Sequence, residues 1–77
     1  MSLTLLQKRR PAAKQMRFYT INGTRTLFGP WALIRKWGRI GQSGTVRETW
    51  LEDRNETEQA RGLLIRQKEK KAYVPAG

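Results

Sequence analysis

The 77-residue chain contains no cysteine and no histidine. Disulfide bridges and the usual zinc sites are therefore excluded, and so is catalysis that depends on a thiol or an imidazole. No apolar run approaches the roughly 18–20 residues of a membrane span. The short apolar run at the N-terminus is followed by positive charge, which is unlike a signal peptide. These absences predict a small, soluble, cytoplasmic protein without a membrane partner.

Acidic residues are scarce, and none occurs before Glu48. Residues 1–47 hold ten lysines and arginines, whereas residues 48–77 hold six acids and six bases, so the first part of the chain carries the whole net charge of +10. A region of one sign favours a polyanion such as nucleic acid, or an anionic surface. The alternative is a basic surface that only keeps the protein soluble.

Five of the six acids, Glu48 to Glu58, cluster where the last strand is expected to lead into a helix. Negative charge is favoured at a helix start by the helix dipole, which accounts for them without a catalytic role. A metal site needs a convergent set of ligands, and the sequence offers none. We therefore expect no enzymatic activity, no catalytic residues, no cofactor and no metal.

The N-terminal residues 1–14 combine a short apolar patch with four cations and show no clear periodicity. They predict a flexible basic arm that precedes a domain over residues 15–77. In that domain, aromatic and β-branched residues predict a strand over residues 16–21. The Asn-Gly pair that follows predicts a turn over residues 22–24.

Alternation of side chains predicts the longest strand over residues 31–40 and a further strand over residues 45–51. The glycine-containing segment between them predicts a hairpin loop whose glycines adopt positive φ. Residues 72–75 are either a last short strand or a docked tail.

A single C-terminal helix is predicted between these segments, with Asn55 as its N-cap and Glu58 in the capping-box position. The residues predicted to face the sheet are Ala60, Leu63, Leu64 and Gln67. The expected fold is α+β: a small antiparallel sheet of three to four strands, covered on one face by the helix. The other face would then be free to be polar and basic.

The segment RKWGRIGQSG, residues 35–44, interleaves a tryptophan with cations and glycines. Its glycine spacing matches neither the Rossmann nor the P-loop pattern. Strand parity places Arg35, Trp37 and Arg39 on one face. An indole can stack on a base or a sugar, and guanidinium groups can bind phosphate in a bidentate manner. The alternative, in which Trp37 is a core residue and Arg39 a solvated charge, remains open from the sequence.

The run WGRIGQSG resembles the signature of the WGR domain, which is named for the residues that stand here as Trp37, Gly38 and Arg39. RFYTI resembles the first strand of that domain, LFGPWALIRKWGRIG its second strand, and ETEQA the start of its helix. The resemblance covers residues 15–74. It departs from the family pattern at Ala72, where a glycine commonly precedes the tyrosine.

The resemblance implies an antiparallel sheet with one helix, and binding to DNA. WGR domains occur in poly(ADP-ribose) polymerases, in bacterial regulators and as short stand-alone bacterial proteins. In the polymerases the domain contacts duplex DNA beside a break, with the tryptophan on the sugar of a strand end and the arginine on the backbone and neighbouring domains. Those roles carry onto Trp37 and Arg39. The transferase activity does not carry over, because no catalytic polymerase domain accompanies the motif here.

The sequence therefore predicts a non-enzymatic nucleic-acid-binding module, for duplex DNA or DNA ends, with DNA favoured over RNA. The candidate contact residues are Arg35, Lys36, Trp37, Gly38, Arg39, Arg47, Lys70 and Lys71. The alternatives are a protein-interaction module whose basic face docks an acidic partner protein, or RNA binding.

Overall fold

The computed structural model describes residues 2–76, which form a five-stranded antiparallel sheet and one α-helix. Met1 and Gly77, the outermost residues of the predicted arm and domain, lie outside the described residues. The elements are β1 (Ser2–Arg10), a 3-10 turn (Pro11–Ala13), β2 (Gln15–Arg25), β3 (Trp31–Arg39), β4 (Thr45–Leu51), α1 (Arg54–Lys70) and β5 (Val74–Pro75). The α+β class is confirmed, with five strands instead of three or four.

The order of strands across the sheet is β4-β3-β2-β1-β5. The first four strands form a meander, and β5 returns to pair antiparallel with β1 through Leu6 and Gln7. The predicted bounds of β4 are confirmed, and the open question at residues 72–75 is answered by a short strand.

The segment predicted to be a flexible arm is strand β1, so that prediction is wrong. It pairs with β2 over nine positions, from Ser2↔Gly23 to Arg10↔Gln15. Leu6 in its centre is 0% exposed and belongs to the hydrophobic core. The apolar half of this segment is followed by the basic run Lys8–Arg10, so apolar and polar residues do not alternate over the whole strand. The sequence pattern therefore did not indicate a strand here.

The predicted Asn-Gly turn is also wrong, because β2 continues through Asn22 and Gly23 to Arg25. Gly23 is buried beneath the helix. A β-carbon at this position would lie 3.0 Å from Thr57 Cγ2, closer than such atoms normally approach. This glycine therefore allows the helix to pack closely on the strand.

The helix begins two residues earlier than predicted, with Asp53 as its N-cap instead of Asn55. The Glu56 N–H donates to Asp53 Oδ1 at 2.8 Å, and Glu56 Oε2 accepts from the Glu52 N–H at 3.4 Å. A carboxylate in the first turn complements the partial positive charge of the helix N-terminus. No helix within residues 2–76 is long and apolar enough to cross a membrane.

The helix covers a core formed by the buried side chains Leu6, Tyr19, Ile21, Leu33 and Tyr73. Ala60 and Leu64 pack against this core as predicted, together with Ile65. Leu63 was also predicted to face the sheet, but it is 60% exposed. Thr57, which is fully buried, donates its hydroxyl to the Asp53 carbonyl at 2.9 Å and so lies under the first helical turn.

Most basic side chains of the sheet lie on the helix-covered face, not on the open face as predicted. Leu33 and Trp37 share a face by strand parity, and Leu33 is 2% exposed in the core beneath the helix. The open face carries exposed apolar side chains, among them Leu3, Val46 and Trp50. Because β3 alternates, the core requirement at Leu33 places Arg35, Trp37 and Arg39 on the covered face as well.

Candidate nucleic-acid interface

Three rows of side chains cross the helix-facing side of the sheet near the C-terminus of α1. Residues directly opposite each other in antiparallel strands share a face, so the rows follow from the register. The first row is Lys8, Arg17 and Arg39, the second is Leu6, Tyr19 and Trp37, and the third includes Arg35 and Arg47. The apolar and aromatic row is thus flanked on one side by three cations and on the other by a row of Thr4, Ile21, Arg35 and Arg47, in which only the two arginines are charged.

Trp37 is half-buried and stacks on Tyr19, with ring centroids 6.0 Å apart and an angle of 22° between the planes. Tyr73, which follows the helix, meets Tyr19 edge-on at 6.4 Å. The stack places Trp37 at the margin of the core: one side of the indole packs on protein and part of it faces solvent. The ring is therefore partly buried against the core and partly exposed.

The row Lys8–Arg17–Arg39 places three cations in directly opposed positions on adjacent strands. Arg17 and Arg39 are exposed. Like charges that face each other across strands destabilise a sheet. Within residues 2–76 the one ion pair, Arg61 with Glu58 at 3.5 Å, lies on the helix and does not involve this row. The row therefore presents uncompensated positive charge.

A groove of about 360 Å³ lies between this cation row and the end of the helix. We call it the Trp37 groove; it is lined by Arg17, Tyr19, Trp37, Gly38, Arg39, Lys68 and Tyr73. The structure thus brings together three residues that the sequence predicted, Trp37, Gly38 and Arg39, with aromatic and basic residues from β2, α1 and the segment before β5.

Lys68 extends from the helix over the aromatic rings of the groove. Its Nζ lies 4.6 Å from the ring centre of Tyr19 and 5.6 Å from that of Tyr73. Burial lowers the pKa of the Lys68 ammonium below its usual value, and the positive charges of Lys71 and Arg35 lower it further. The ammonium group therefore lies against aromatic faces, in a region where neighbouring positive charges favour the binding of an anion.

The glycines of the signature are required by the close approach of β3 and the following loop. A β-carbon at Gly38 would lie 2.8 Å from the Gly44 Cα, and one at Gly44 would collide with the Trp37 carbonyl oxygen. Gly44 also has a φ of 77°, and Gly41 has a φ of 92°, which confirms the predicted left-handed conformations. The backbone of Trp37 therefore packs closely against the backbone of Gly44.

The other five predicted contact residues do not line the Trp37 groove. Arg35 and Arg47 lie opposite each other on the helix-facing side, whereas Lys36 pairs with Thr20 and Val46 and so belongs to the open face. Lys70 and Lys71 are exposed at the C-terminal end of the helix. No cluster of three or more potential metal ligands occurs among the described residues.

Five residues that line or border the groove were not predicted from the sequence: Lys8, Arg17, Tyr19, Lys68 and Tyr73. Strand alternation predicts that Arg17 and Tyr19 share a face of β2. The register that places Arg17 beside Arg39 could not be predicted from the sequence. Lys8 was assigned to the predicted arm, and Lys68 was not among the predicted contact residues.

Comparison with known proteins shows what this chain is similar to. The family model described as the WGR domain matches residues 2–77, so it includes β1 as well as the segment that carries the sequence resemblance. The uncharacterized protein y4dW of Sinorhizobium fredii is 34% identical over 65 residues, which cover 84% of this chain. The match spans about a third of that relative, 32% of its length. No solved structure matches the chain.

Proposed function

The chain belongs to the WGR domain family, and on that premise we propose that it is a non-enzymatic module that binds duplex DNA, with a preference for DNA ends. The proposed interface is the Trp37 groove with its cation row. Lys36 is not part of this interface because it lies on the other face of the sheet.

The observation that carries the proposal is the uncompensated row Lys8–Arg17–Arg39 beside the half-buried indole of Trp37. Such a row costs folding free energy unless an anion offsets its repulsion. A nucleic-acid backbone supplies regularly spaced phosphates, and neutralising them releases condensed counterions. The net charge of +10 also favours approach to such a polyanion.

The preference for ends follows from the position of Trp37. Tyr19 stacks on the ring within the sheet, so the indole has only part of its surface left for a ligand. A strand terminus offers an exposed sugar or base face, which the interior of a duplex does not. Arg39, exposed in the next row, would contact the backbone of the same strand, and Lys70 and Lys71 would extend the positive surface past the helix end.

Arg39→Gln should weaken binding to every duplex by a similar factor, about tenfold, because a phosphate contact carries no sequence information. The slope of log affinity against log salt should become less negative by about 0.9. Affinities of wild type and variant for linear and circular duplexes, measured at two salt concentrations, provide the test.

Arg54→Gln is the matched control, because it removes the same charge at the start of the helix. That position lies about 21 Å along the helix axis from Lys68, at 1.5 Å per residue. The two variants should therefore differ in affinity although their net charge is equal. Equal losses in both would reduce the interface to a general charge effect. Failure of the wild type to bind duplex DNA, with retention of an acidic protein, would favour the alternative of a protein-interaction module.

A further inference from the structure

A second concavity lies on the other side of Trp37 and Lys68 from the Trp37 groove. It has a volume of about 280 Å³ and is lined by Tyr19, Arg35, Trp37, Leu64, Gln67 and Lys68. We call it the Arg35 cleft. This space is large enough for a phosphate group.

Positive charge converges on the Arg35 cleft without an acid to balance it. Arg35 and Lys68 both line it, and Arg47 lies directly opposite Arg35 on the neighbouring strand, on the same face. The two cations that line it act on each other, since the Arg35 charge contributes to lowering the pKa of Lys68. No ion pair among residues 2–76 involves any of the three.

Arg35 lies beside an aromatic ring instead of an acid. Its guanidinium lies 5.8 Å from the ring centre of Trp37, and its Nε is buried with no hydrogen-bond partner within the described part of the chain. A partly desolvated cation without a counter-charge is costly in a folded protein. Its persistence beside a second cation is the arrangement expected of a preorganised anion site.

We propose that the Arg35 cleft, which adjoins the Trp37 groove and shares Lys68 with it, is a second site for a phosphate group, held between the Arg35 guanidinium and the Lys68 ammonium, with the Gln67 amide as a further donor. The site takes a phosphate either from a nucleic-acid backbone or from a small phosphorylated molecule, since the chemistry is shared. It does not depend on the end-binding function proposed above.

The probe for this site is inorganic pyrophosphate, titrated into the full chain while the Arg35 Nε–H and the backbone amides of Gln67 and Lys68 are followed by NMR. We expect saturable shifts at these positions. Arg35→Gln and Lys68→Gln should each weaken pyrophosphate binding about tenfold, the loss expected when one charge-assisted contact is removed. Melting curves of both variants establish that they remain folded.

Two controls separate the cleft from general basic charge. Arg66→Gln removes an equal charge two residues from Lys68, at an exposed position on another side of the helix, and should leave pyrophosphate binding unchanged. Arg25→Gln removes an exposed cation at the far end of β2, which lines neither the Trp37 groove nor the cleft, and should also leave it unchanged. Small, non-saturating shifts spread over all lysines and arginines would overturn the proposal.

Competition distinguishes the two sources of phosphate. Displacement of pyrophosphate by a DNA duplex would assign the cleft to a backbone phosphate, and simultaneous binding of both would assign it to a small phosphorylated molecule. If the wild type binds pyrophosphate at Arg35 but does not bind DNA, the cleft stands and the proposed DNA function fails. If DNA binds and pyrophosphate does not, the cleft proposal fails alone.

Discussion

Removal of residues 2–10 should abolish cooperative unfolding of the protein. The deletion takes out β1, which lies between β2 and β5, together with the fully buried Leu6. A chain of 77 residues has a total stability of about 4–12 kcal/mol at 0.05–0.15 kcal/mol per residue. Loss of a core leucine alone costs about 2–5 kcal/mol. Thermal melting followed by circular dichroism is the measurement.

Two point variants on β1 provide the matched comparison. Leu6→Ala should lower the free energy of unfolding by about 2–5 kcal/mol. Leu3→Ala removes the same atoms from a side chain that is 69% exposed on the open face, and should change it by less than about 0.5 kcal/mol. A truncated protein that melts as sharply as the wild type would mean that β1 is dispensable and that the segment acts as an arm after all.

Trp37→Ala should lower both stability and binding, because the indole serves the core and the groove at once. Truncation of a core tryptophan costs about 3–5 kcal/mol, so a half-buried one should cost about 2 kcal/mol. Binding to linear duplex should weaken by about 1–3 kcal/mol, the range for an aromatic platform. Binding to closed circular DNA should weaken less, because a circle has no terminal sugar. Chemical denaturation and binding titrations measure the two effects separately.

Trp50→Ala is the control for this prediction. Trp50 is 58% exposed on the open face, and its Nε1–H donates to Glu48 at 2.9 Å, away from the groove. Its loss should change neither stability nor DNA affinity by more than about 0.5 kcal/mol. Equal losses on ends and circles for Trp37→Ala would retain DNA binding and remove the end preference. A stability loss without any loss of affinity would make Trp37 a core residue only.

The sequence alone was sufficient for those elements whose local pattern is undisturbed. The alternation of β3 and β4 and the amphipathic pattern of α1 gave the class, and the signature residues led to Trp37 and Arg39. β1 was missed because its second half is a run of cations that pairs through its backbone and contributes little to the core. The helix start was displaced because Asp53 and Asn55 are both good N-caps, and the choice depends on where β4 ends.

The chemistry of the interface depended on long-range register, which no local pattern encodes. Strand alternation correctly predicted that Arg35, Trp37 and Arg39 share a face of β3. It could not show whether the helix covers that face. The register of β1 with β2 and of β2 with β3 aligns Lys8, Arg17 and Arg39, and the crossing of α1 brings Lys68 over Tyr19. These are contacts between residues far apart in the chain, and they determine the site.

The salt dependence of duplex binding tests the central claim most directly. The cations of the proposed DNA interface are Lys8, Arg17, Arg39 and Lys68, with Lys70 and Lys71 at the end of the helix. If four to six phosphates are neutralised there, log affinity against log salt should fall with a slope of about −4 to −5 on B-DNA. A titration of the wild type against a blunt duplex across a range of salt concentrations should give that slope. A flat response would contradict the electrostatic interface, and with it the account of this face as a nucleic-acid-binding surface.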